Sequence, residues 1–152
     1  MTKKATYLPR GQRIMNTIFS AMVHLGLIPG AHLLSVRGRK SGMMHTTPIF
    51  LLKYEGHRWL VAGFEQSDWV KNIRAAGWCV LIHDRLKEGV TVVEVKEPEV
   101  RAPLIQAFVQ RAPGGSMLGI SPNAPLSEFV ARAPQHPVFR VVETANARVE
   151  NQ

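Results

Sequence analysis

A short basic turn holds the residues whose types are best suited to chemistry. Arg39, Lys40 and Ser41 stand between Gly38 and Gly42. Two cations and a hydroxyl, beside backbone N–H groups that glycine leaves accessible, suit a phosphate or a carboxylate. The turn therefore predicts an anion-binding site, and a solvated basic hairpin is the alternative interpretation.

The residues after this turn predict a strand that would run beside the bound anion. The run HTTPIFLLKY, from His45 to Tyr54, is rich in residues that favour strands. Pro48 within it indicates either a sheet edge or a bulge. We expect a bulge at Pro48 to leave neighbouring backbone groups open to a flat ligand.

Several other kinds of site lack their sequence signature. The chain has neither the phosphate-loop motif nor the dinucleotide-binding glycine motif. Its six histidines are widely spaced, so no metal site is predicted. A single cysteine, Cys79, excludes an internal disulfide, and its apolar surroundings favour a small core residue over a reactive thiol.

The positive charge is concentrated in the first part of the chain. Residues 1–58 hold nine basic residues and one acidic residue, whereas residues 59–152 hold ten of each sign. This excess predicts an anionic partner, which could be nucleic acid, an anionic membrane surface or a phosphorylated small molecule. No nucleic-acid-binding motif accompanies the charge, so we do not expect nucleic acid to be the partner.

The hydrophobic pattern predicts one α+β domain built on a mainly antiparallel barrel of about six strands. A length of 152 residues suits a single domain, and strands do not alternate regularly with helices. Strands are predicted at 32–37, 45–54, 58–64, 78–83, 90–95 and 138–142. Helices are predicted at 68–76, 98–111 and 126–132, with Val100 on the apolar face of the second.

The two ends of the chain are expected to differ from the barrel at residues 31–143. Residues 1–30 include an amphipathic helix at 11–27, which could lie on anionic lipid or pack on its own domain. Residues 144–152 form a polar tail. No cleavable signal or membrane span is recognisable, so we expect a cytoplasmic protein, with peripheral membrane contact left open.

Three ordered motifs resemble a known family. The string VRGRKSG followed by TTP, the hairpin YEGHRWLVAGF and the segment SDWVKNIRAAG resemble the deazaflavin-dependent nitroreductase family, which comprises flavin and deazaflavin oxidoreductases of split β-barrel fold. The resemblance covers residues 30–96 and continues weakly at APQHPVFR, residues 133–140. The first and last parts of the chain are similar to a branch of the family associated with fatty acids.

The resemblance implies coenzyme F-420, an 8-hydroxy-5-deazaflavin, as cofactor. It assigns the anionic tail to Arg39, Lys40 and Ser41. It assigns the ring to the following strand, at His45, Thr46, Thr47, Pro48, Ile49 and Phe50. It implies that the pocket is closed by Val61, Ala62, Gly63, Trp69 and Asn72. The implied reaction is hydride transfer to a small hydrophobic acceptor, a quinone, an enone or a nitro compound, and His45 is the candidate catalytic residue.

Structural and functional alternatives remain at this point. Trp69 could only plug the barrel, and Asn72 could only hydrogen-bond a loop. His45 stands where family members commonly carry an arginine. The other functions are a non-catalytic fatty-acid binder, favoured by the methionines, and an FMN or haem protein on the same fold. The methionines that favour a fatty-acid binder are Met15, Met22, Met43, Met44 and Met117. A homodimer is a further expectation.

Overall fold

The computed structural model describes residues 30–112 and 115–143, without the side chains of Ser116 and Glu143. The helix expected at 11–27 and the polar tail expected at 144–152 lie outside the described residues.

Among residues 30–112 and 115–143, six antiparallel strands close into a barrel. Their order around it is β1-β2-β3-β6-β5-β4. The predicted α+β fold with a mainly antiparallel split β-barrel of about six strands is confirmed. The strands are β1 Ala31–Arg37, β2 Met44–Tyr54, β3 His57–Val61, β4 Trp78–His83, β5 Leu86–Val95 and β6 Val138–Glu143.

In the part of the chain that the structure describes, three α-helices accompany the barrel, and all three have the predicted bounds. They are α1 Asp68–Ala76, α2 Pro98–Arg111 and α3 Leu126–Arg132, with 3₁₀ turns at Gly115–Leu118 and Ala133–Gln135. Gly77 ends α1 in the left-handed conformation, at φ 76°, where a side chain would be strained. Within residues 30–112 and 115–143, no helix has both the length and the apolar character to cross a bilayer.

The barrel interior is filled by alternate residues of the strands and by one face of α1. Leu34 and Val36 of β1 and Leu81 of β4 meet Val70 and Ile73 of α1, and all five are at most 1% exposed. This packing fixes α1 across one end of the barrel, the end where the turn between β1 and β2 lies. The helix and the turn are therefore neighbours because the hydrophobic core joins them.

Helices α2 and α3 cover part of the outer surface of the barrel. Ile105 and Phe108 of α2 and Phe129 of α3 pack with Leu52 and Val138 of the strands. Val100 is 48% exposed, so its prediction as part of the apolar face of α2 is wrong. It lies in the first turn of that helix, before the buried stripe becomes continuous.

Two predicted strand boundaries are also wrong. Strand β3 ends at Val61 and not at residue 64, and β5 begins at Leu86 and not at residue 90. The β4–β5 connection is a two-residue turn at Asp84 and Arg85, both with positive φ. Positive φ at both central residues matches the twist of the adjoining strands, so pairing continues to the end of the hairpin.

The first half of β2 is an open edge. Residues 44–50 pair with β1, whereas β3 pairs with β2 only from Leu51 to Tyr54. Pro48 lies in this edge segment, where its missing N–H costs no ladder bond. The β1–β2 register is continuous. The edge prediction for Pro48 is therefore confirmed, and the bulge prediction is wrong.

Candidate functional site

One cleft of about 480 Å³ lies between the β1–β2 turn, the open edge of β2 and helix α1. Eight residues that the sequence predicts for a cofactor site line it together with Gly38 and Asp68. They are Arg39, Lys40, Ser41, His45, Thr46, Thr47, Trp69 and Asn72.

Short backbone hydrogen bonds hold the turn in shape. The Gly38 N–H donates to the Met43 carbonyl at 2.7 Å, and the Gly42 N–H donates to the Gly38 carbonyl at 2.9 Å. Gly42 adopts φ 72°, a conformation that glycine reaches without a steric penalty. The turn therefore presents Arg39, Lys40 and Ser41 at a fixed position at the rim of the cleft.

Arg39 is anchored to helix α1. The Asn72 Oδ1 accepts from the Arg39 backbone N–H at 3.1 Å and from Arg39 Nη1 at 2.7 Å. Asn72 is only 4% exposed, so its amide is a fixed part of the helix. Arg39 Nη2 also lies 3.4 Å from the exposed Asp68 carboxylate. The guanidinium thus borders the cleft with one neutral and one acidic partner.

His45 and Ser41 are held together beneath the turn. The Ser41 hydroxyl lies 3.2 Å from His45 Nε2, and it accepts from the Met43 N–H at 3.2 Å. A Cβ at Gly38 would stand 2.6 Å from His45 Nε2 and 2.7 Å from Ser41 Oγ. The absence of a side chain at Gly38 is therefore what allows this pair to approach the strand.

Strand β2 directs backbone groups towards its open side. The Leu51 N–H donates to the Gly30 carbonyl beside β1, so residues 45, 47 and 49 also face β1. The Thr46 N–H and the carbonyls of Thr46 and Pro48 then point the other way, where no described strand pairs with them. A flat ligand with amide-like edges could hydrogen-bond there.

Trp69 serves two purposes. It packs against the barrel core, 6.0 Å from the Phe139 ring centroid, and it lines the cleft. The alternative interpretation of Trp69 as a plug and its interpretation as a pocket wall are therefore compatible. Asn72 likewise does bond a loop, and that loop is the β1–β2 turn that lines the cleft.

Six other predicted residues do not line this cleft. Ile49 packs on the barrel interior, and Phe50 packs on the outer clusters. Val61 and Ala62 are 8% and 0% exposed. The remaining two are Pro48, whose ring occupies the half-buried β2 edge, and Gly63, which lines a different cavity.

Asp68 is a cleft residue that the sequence reasoning did not select. It stands four residues before Asn72 on α1, and residues with this spacing share a helix face. That spacing was the available signal. An acid beside Arg39 lowers the net positive charge of the cleft, which matters for an anionic ligand.

The described residues contain no cluster of metal-ligating side chains, and their cysteine is buried. Among residues 30–112 and 115–143, no three His, Cys, Asp or Glu side chains are grouped so that they could hold a metal ion. Burial raises the pKa of the Cys79 thiol to about 12, so this sulfur stays protonated and unreactive.

Comparison with solved structures supports the barrel fold. A structure titled as a domain-swapped dimer matches with TM-score 0.54 and 21% identity, over 88% of this chain and 94% of its own. A conserved hypothetical protein from Mycobacterium tuberculosis matches with TM-score 0.53 and 17% identity, over 94% and 86%. A structure titled "F420-H2 Dependent Reductase" matches with TM-score 0.50 and 21% identity, over 75% and 95%. No curated protein matches.

A family model matches residues 13–118, which is more than half of the chain. The matched range contains the β1–β2 turn, the open edge of β2 and helix α1, the three segments that form the cleft. Its description is "F420H(2)-dependent quinone reductase". The chain belongs to this family of deazaflavin-dependent oxidoreductases, whose cofactor is coenzyme F-420.

Proposed function

We propose that the cleft binds coenzyme F-420 with its anionic tail against Arg39, Lys40 and Ser41 and its ring beside the open edge of β2. One observation carries this proposal. The β1–β2 turn with the start of β2 (residues 38–47) and helix α1, which begins 21 positions later at Asp68, supply eight predicted residues to one cleft of about 480 Å³. Membership of a family named for F420H(2) favours this cofactor over FMN, and favours catalysis over simple fatty-acid binding.

The donor set suits the two ends of such a molecule. Arg39 and Lys40 supply positive charge for the phosphate-bearing tail, and the Ser41 hydroxyl supplies a hydrogen bond. The backbone groups of Thr46 and Pro48 suit the polar edge of a flat ring, which Trp69 can flank. Thr47 and His45 line the cleft between these two regions. We propose a supporting role for residues that lie behind the ring without lining the cleft: Ile49, Phe50, Val61, Ala62 and Gly63.

When bound, the reduced coenzyme supplies a hydride for transfer to an electrophilic acceptor. The protein residues bind and orient the coenzyme and the acceptor and shield them from water. Fixed backbone donors can stabilise negative charge that develops beside them. We assign the acceptor to the quinone class, with enones and nitro compounds as further substrates. A quinone that accepts a hydride also takes up one proton when it becomes a hydroquinone.

His45 is the candidate source of that proton. It is the one imidazole among the described residues that line the cleft, and its Nε2 is within hydrogen-bond distance of the Ser41 hydroxyl. When the ring is protonated, both nitrogens carry hydrogen, so Nε2 donates to the Ser41 hydroxyl oxygen and the Nδ1 hydrogen is the one that can be delivered. The ring returns to its neutral form after the transfer, and Ser41 is its positioning residue.

Three other features belong to the proposal. A homodimer is supported by the domain-swapped dimer among the similar structures. A fatty acid as an additional ligand would need apolar surface, which Met43, Met44 and Met117 expose. Peripheral membrane contact rests on residues 1–27, outside the described ranges, and remains a prediction.

The test is acceptor reduction under anaerobic conditions. Reduced coenzyme F-420 is mixed with the protein and a soluble naphthoquinone, and reappearance of the oxidised coenzyme is followed by absorbance. We expect protein-dependent turnover that falls at least tenfold in Lys40→Met and is unchanged in Lys53→Met, which removes the same charge from an exposed position outside the cleft. Reduced FMN is the cofactor control. Absence of turnover and of coenzyme binding would contradict the proposal.

A further inference from the structure

The end of the barrel opposite the cleft carries polar side chains on its inward side. Leu34 of β1 and Leu81 of β4 face the barrel core. His32 and His83 stand two residues away on the same strands, and alternate residues of a strand face the same way. Both histidines lie where residues 1–29 join the barrel, at the start of β1 and the end of β4. The seven residues of β1 separate them from the cleft by about 20 Å.

The two imidazoles form one stacked unit, the histidine pair. Their ring centroids are 4.6 Å apart, and the ring planes are inclined by 24°. His32 Nδ1 lies 3.3 Å from the Gly30 carbonyl oxygen, and His83 Nδ1 lies 3.0 Å from the Ala31 carbonyl oxygen. Because a carbonyl oxygen only accepts, each Nδ1 carries a hydrogen. The histidine pair thus donates to two successive carbonyls at the point where the chain enters the barrel.

The first backbone hydrogen bond between this entry point and β2 uses one of these carbonyls. The Leu51 N–H donates to the Gly30 carbonyl at 3.0 Å. The same oxygen therefore accepts from the backbone of β2 and from His32. If His32 moves away, Gly30 loses one of these two bonds. Hydrogen exchange of the Leu51 amide then reports how firmly the start of β1 is held.

Charged side chains from neighbouring strands face the histidine pair. Lys53 of β2, Arg58 of β3 and Glu88 of β5 occupy inward positions at this end, in step with the core residues of the same strands. Arg58 donates to both oxygens of Glu88, each at 2.7 Å, so the acid at this end is already engaged by a cation. Other charged residues at this end are Glu55, Asp84 and Arg85 in the turns, Lys87 on β5, and Glu143, whose side chain is not among those described.

These surroundings oppose a positive charge on the pair. Burial is the main cause that lowers the pKa of His32, and the positive charges of His83, Arg58 and Lys53 lower it further, against the Gly30 carbonyl, which raises it. Below about pH 6.5, the unfolded chain therefore binds more protons at His32 than the folded chain does. The closed form loses stability as the pH falls below this value, and the loss is complete once the pH is below the lowered pKa of the folded state.

We propose that the histidine pair is a proton-sensitive switch at the entry of the chain into the barrel. While at least one ring is neutral, the rings stay stacked and hold the Gly30 and Ala31 carbonyls. When both rings are charged, they repel each other and are repelled by Lys53, so they separate and the start of β1 frays from β2. Acid thereby loosens the point at which residues 1–29 join the barrel. The proposal does not depend on the coenzyme, because the cleft lies at the other end of β1.

Amide hydrogen exchange of the full-length protein without coenzyme tests the switch. Protection factors are corrected for the intrinsic effect of pH on exchange. We expect the protection of Leu51 to fall at least tenfold between pH 7.5 and pH 5. The Ala62 N–H, which donates to the Pro137 carbonyl at 2.9 Å at the other end of the barrel, should change less than twofold. Constant protection of Leu51, or an equal fall at both amides, would overturn the proposal.

Variants assign the effect to the pair. His83→Phe keeps a ring that can stack but cannot take up a proton, so the protection of Leu51 should no longer depend on pH in this range. The pKa of His32 should rise in this variant, because a neighbouring positive charge is removed. His57→Phe removes an exposed histidine from the start of β3 and should retain the tenfold fall. A tenfold fall that persists in His83→Phe rejects the switch.

A second variant decides if His83→Phe does not fold. Lys53→Met removes a cation that faces the pair and leaves both imidazoles in place. The pH at which Leu51 loses half of its protection should then shift downwards, because less repulsion opposes the charged rings. An unchanged midpoint in Lys53→Met would contradict the proposed repulsion.

Discussion

The side-chain oxygen of Asn72 accepts two hydrogen bonds from Arg39, one from its backbone and one from its guanidinium. One buried atom on α1 therefore fixes both the path of the β1–β2 turn and the direction of its arginine. The helix is in turn fixed by Val70 and Ile73 in the barrel core. The position of the turn that we propose as the binding site of the anionic tail thus depends on the packing of the barrel.

Asn72→Ala tests this coupling. Removal of the amide leaves two Arg39 donors without their partner, and we expect a loss of about 1–3 kcal/mol in the free energy of unfolding. We also expect at least a tenfold loss of affinity for coenzyme F-420, because the guanidinium is no longer oriented. Chemical denaturation and fluorescence titration measure the two effects. A variant with reduced stability but full affinity would mean that Asn72 supports only the fold.

Gly38→Ala tests the close approach of His45 and Ser41. The new Cβ would stand 2.6 Å from His45 Nε2, so that ring must move, and we expect loss of the His45–Ser41 hydrogen bond and at least tenfold lower turnover. Gly89→Ala is the matched control, because no heavy atom lies within 4 Å of a Cβ at that position. Steady-state kinetics of both variants make the comparison. Equal turnover in the two would contradict the role of Gly38.

Asp68→Asn tests the acid at the cleft. The carboxylate lies 3.4 Å from Arg39 Nη2 and is 86% exposed, so its removal should change the free energy of unfolding by less than about 0.5 kcal/mol. Binding of the anionic coenzyme should tighten about two- to fivefold, because Arg39 loses a competing partner.

Asp84→Asn removes the same charge from the exposed β4–β5 turn. It separates the local contact from the overall charge of the protein. Coenzyme titration at low ionic strength is the measurement. Equal tightening in both variants would assign the effect to net charge alone.

The three segments of the cleft were predictable, but their contacts were not. The β1–β2 turn and the bounds of α1 follow from local signals, such as glycines flanking the turn and Gly77 after the helix. The bond between Asn72 and Arg39 spans 33 positions and depends on how the barrel closes. Val61 and Ala62 were expected at the cofactor, and they became buried because β6 pairs beside them. Non-local pairing of this kind leaves no local pattern.

Acid stability is expected to depend on Glu94. A hydrogen bond from Arg74 is the main cause that lowers the pKa of this carboxyl, and the charges of Arg74 and Arg101 add to it. A carboxyl whose pKa is lower in the folded state stabilises the fold above its unfolded pKa of about 4.3. That contribution disappears as the pH falls through the folded pKa.

As the pH falls below about 4.5, the free energy of unfolding of Glu94→Gln should therefore decrease less than that of the original protein. Denaturant titrations between pH 7 and pH 3 give the two profiles. Glu99→Gln, on the first turn of α2, is the control. Parallel profiles for Glu94→Gln and the original protein would show that the ion cluster of Arg74, Glu94 and Arg101 does not contribute to acid stability.

The most direct test of the central claim is equilibrium titration with oxidised coenzyme F-420 at low and at moderate salt. Arg39 and Lys40 are the residues that we propose bind its anionic tail. The double variant Arg39→Met/Lys40→Met should therefore bind at least a hundredfold more weakly at low salt, and its affinity should change less with salt than that of the original protein. Equal affinity and equal salt dependence in the two proteins would contradict the account.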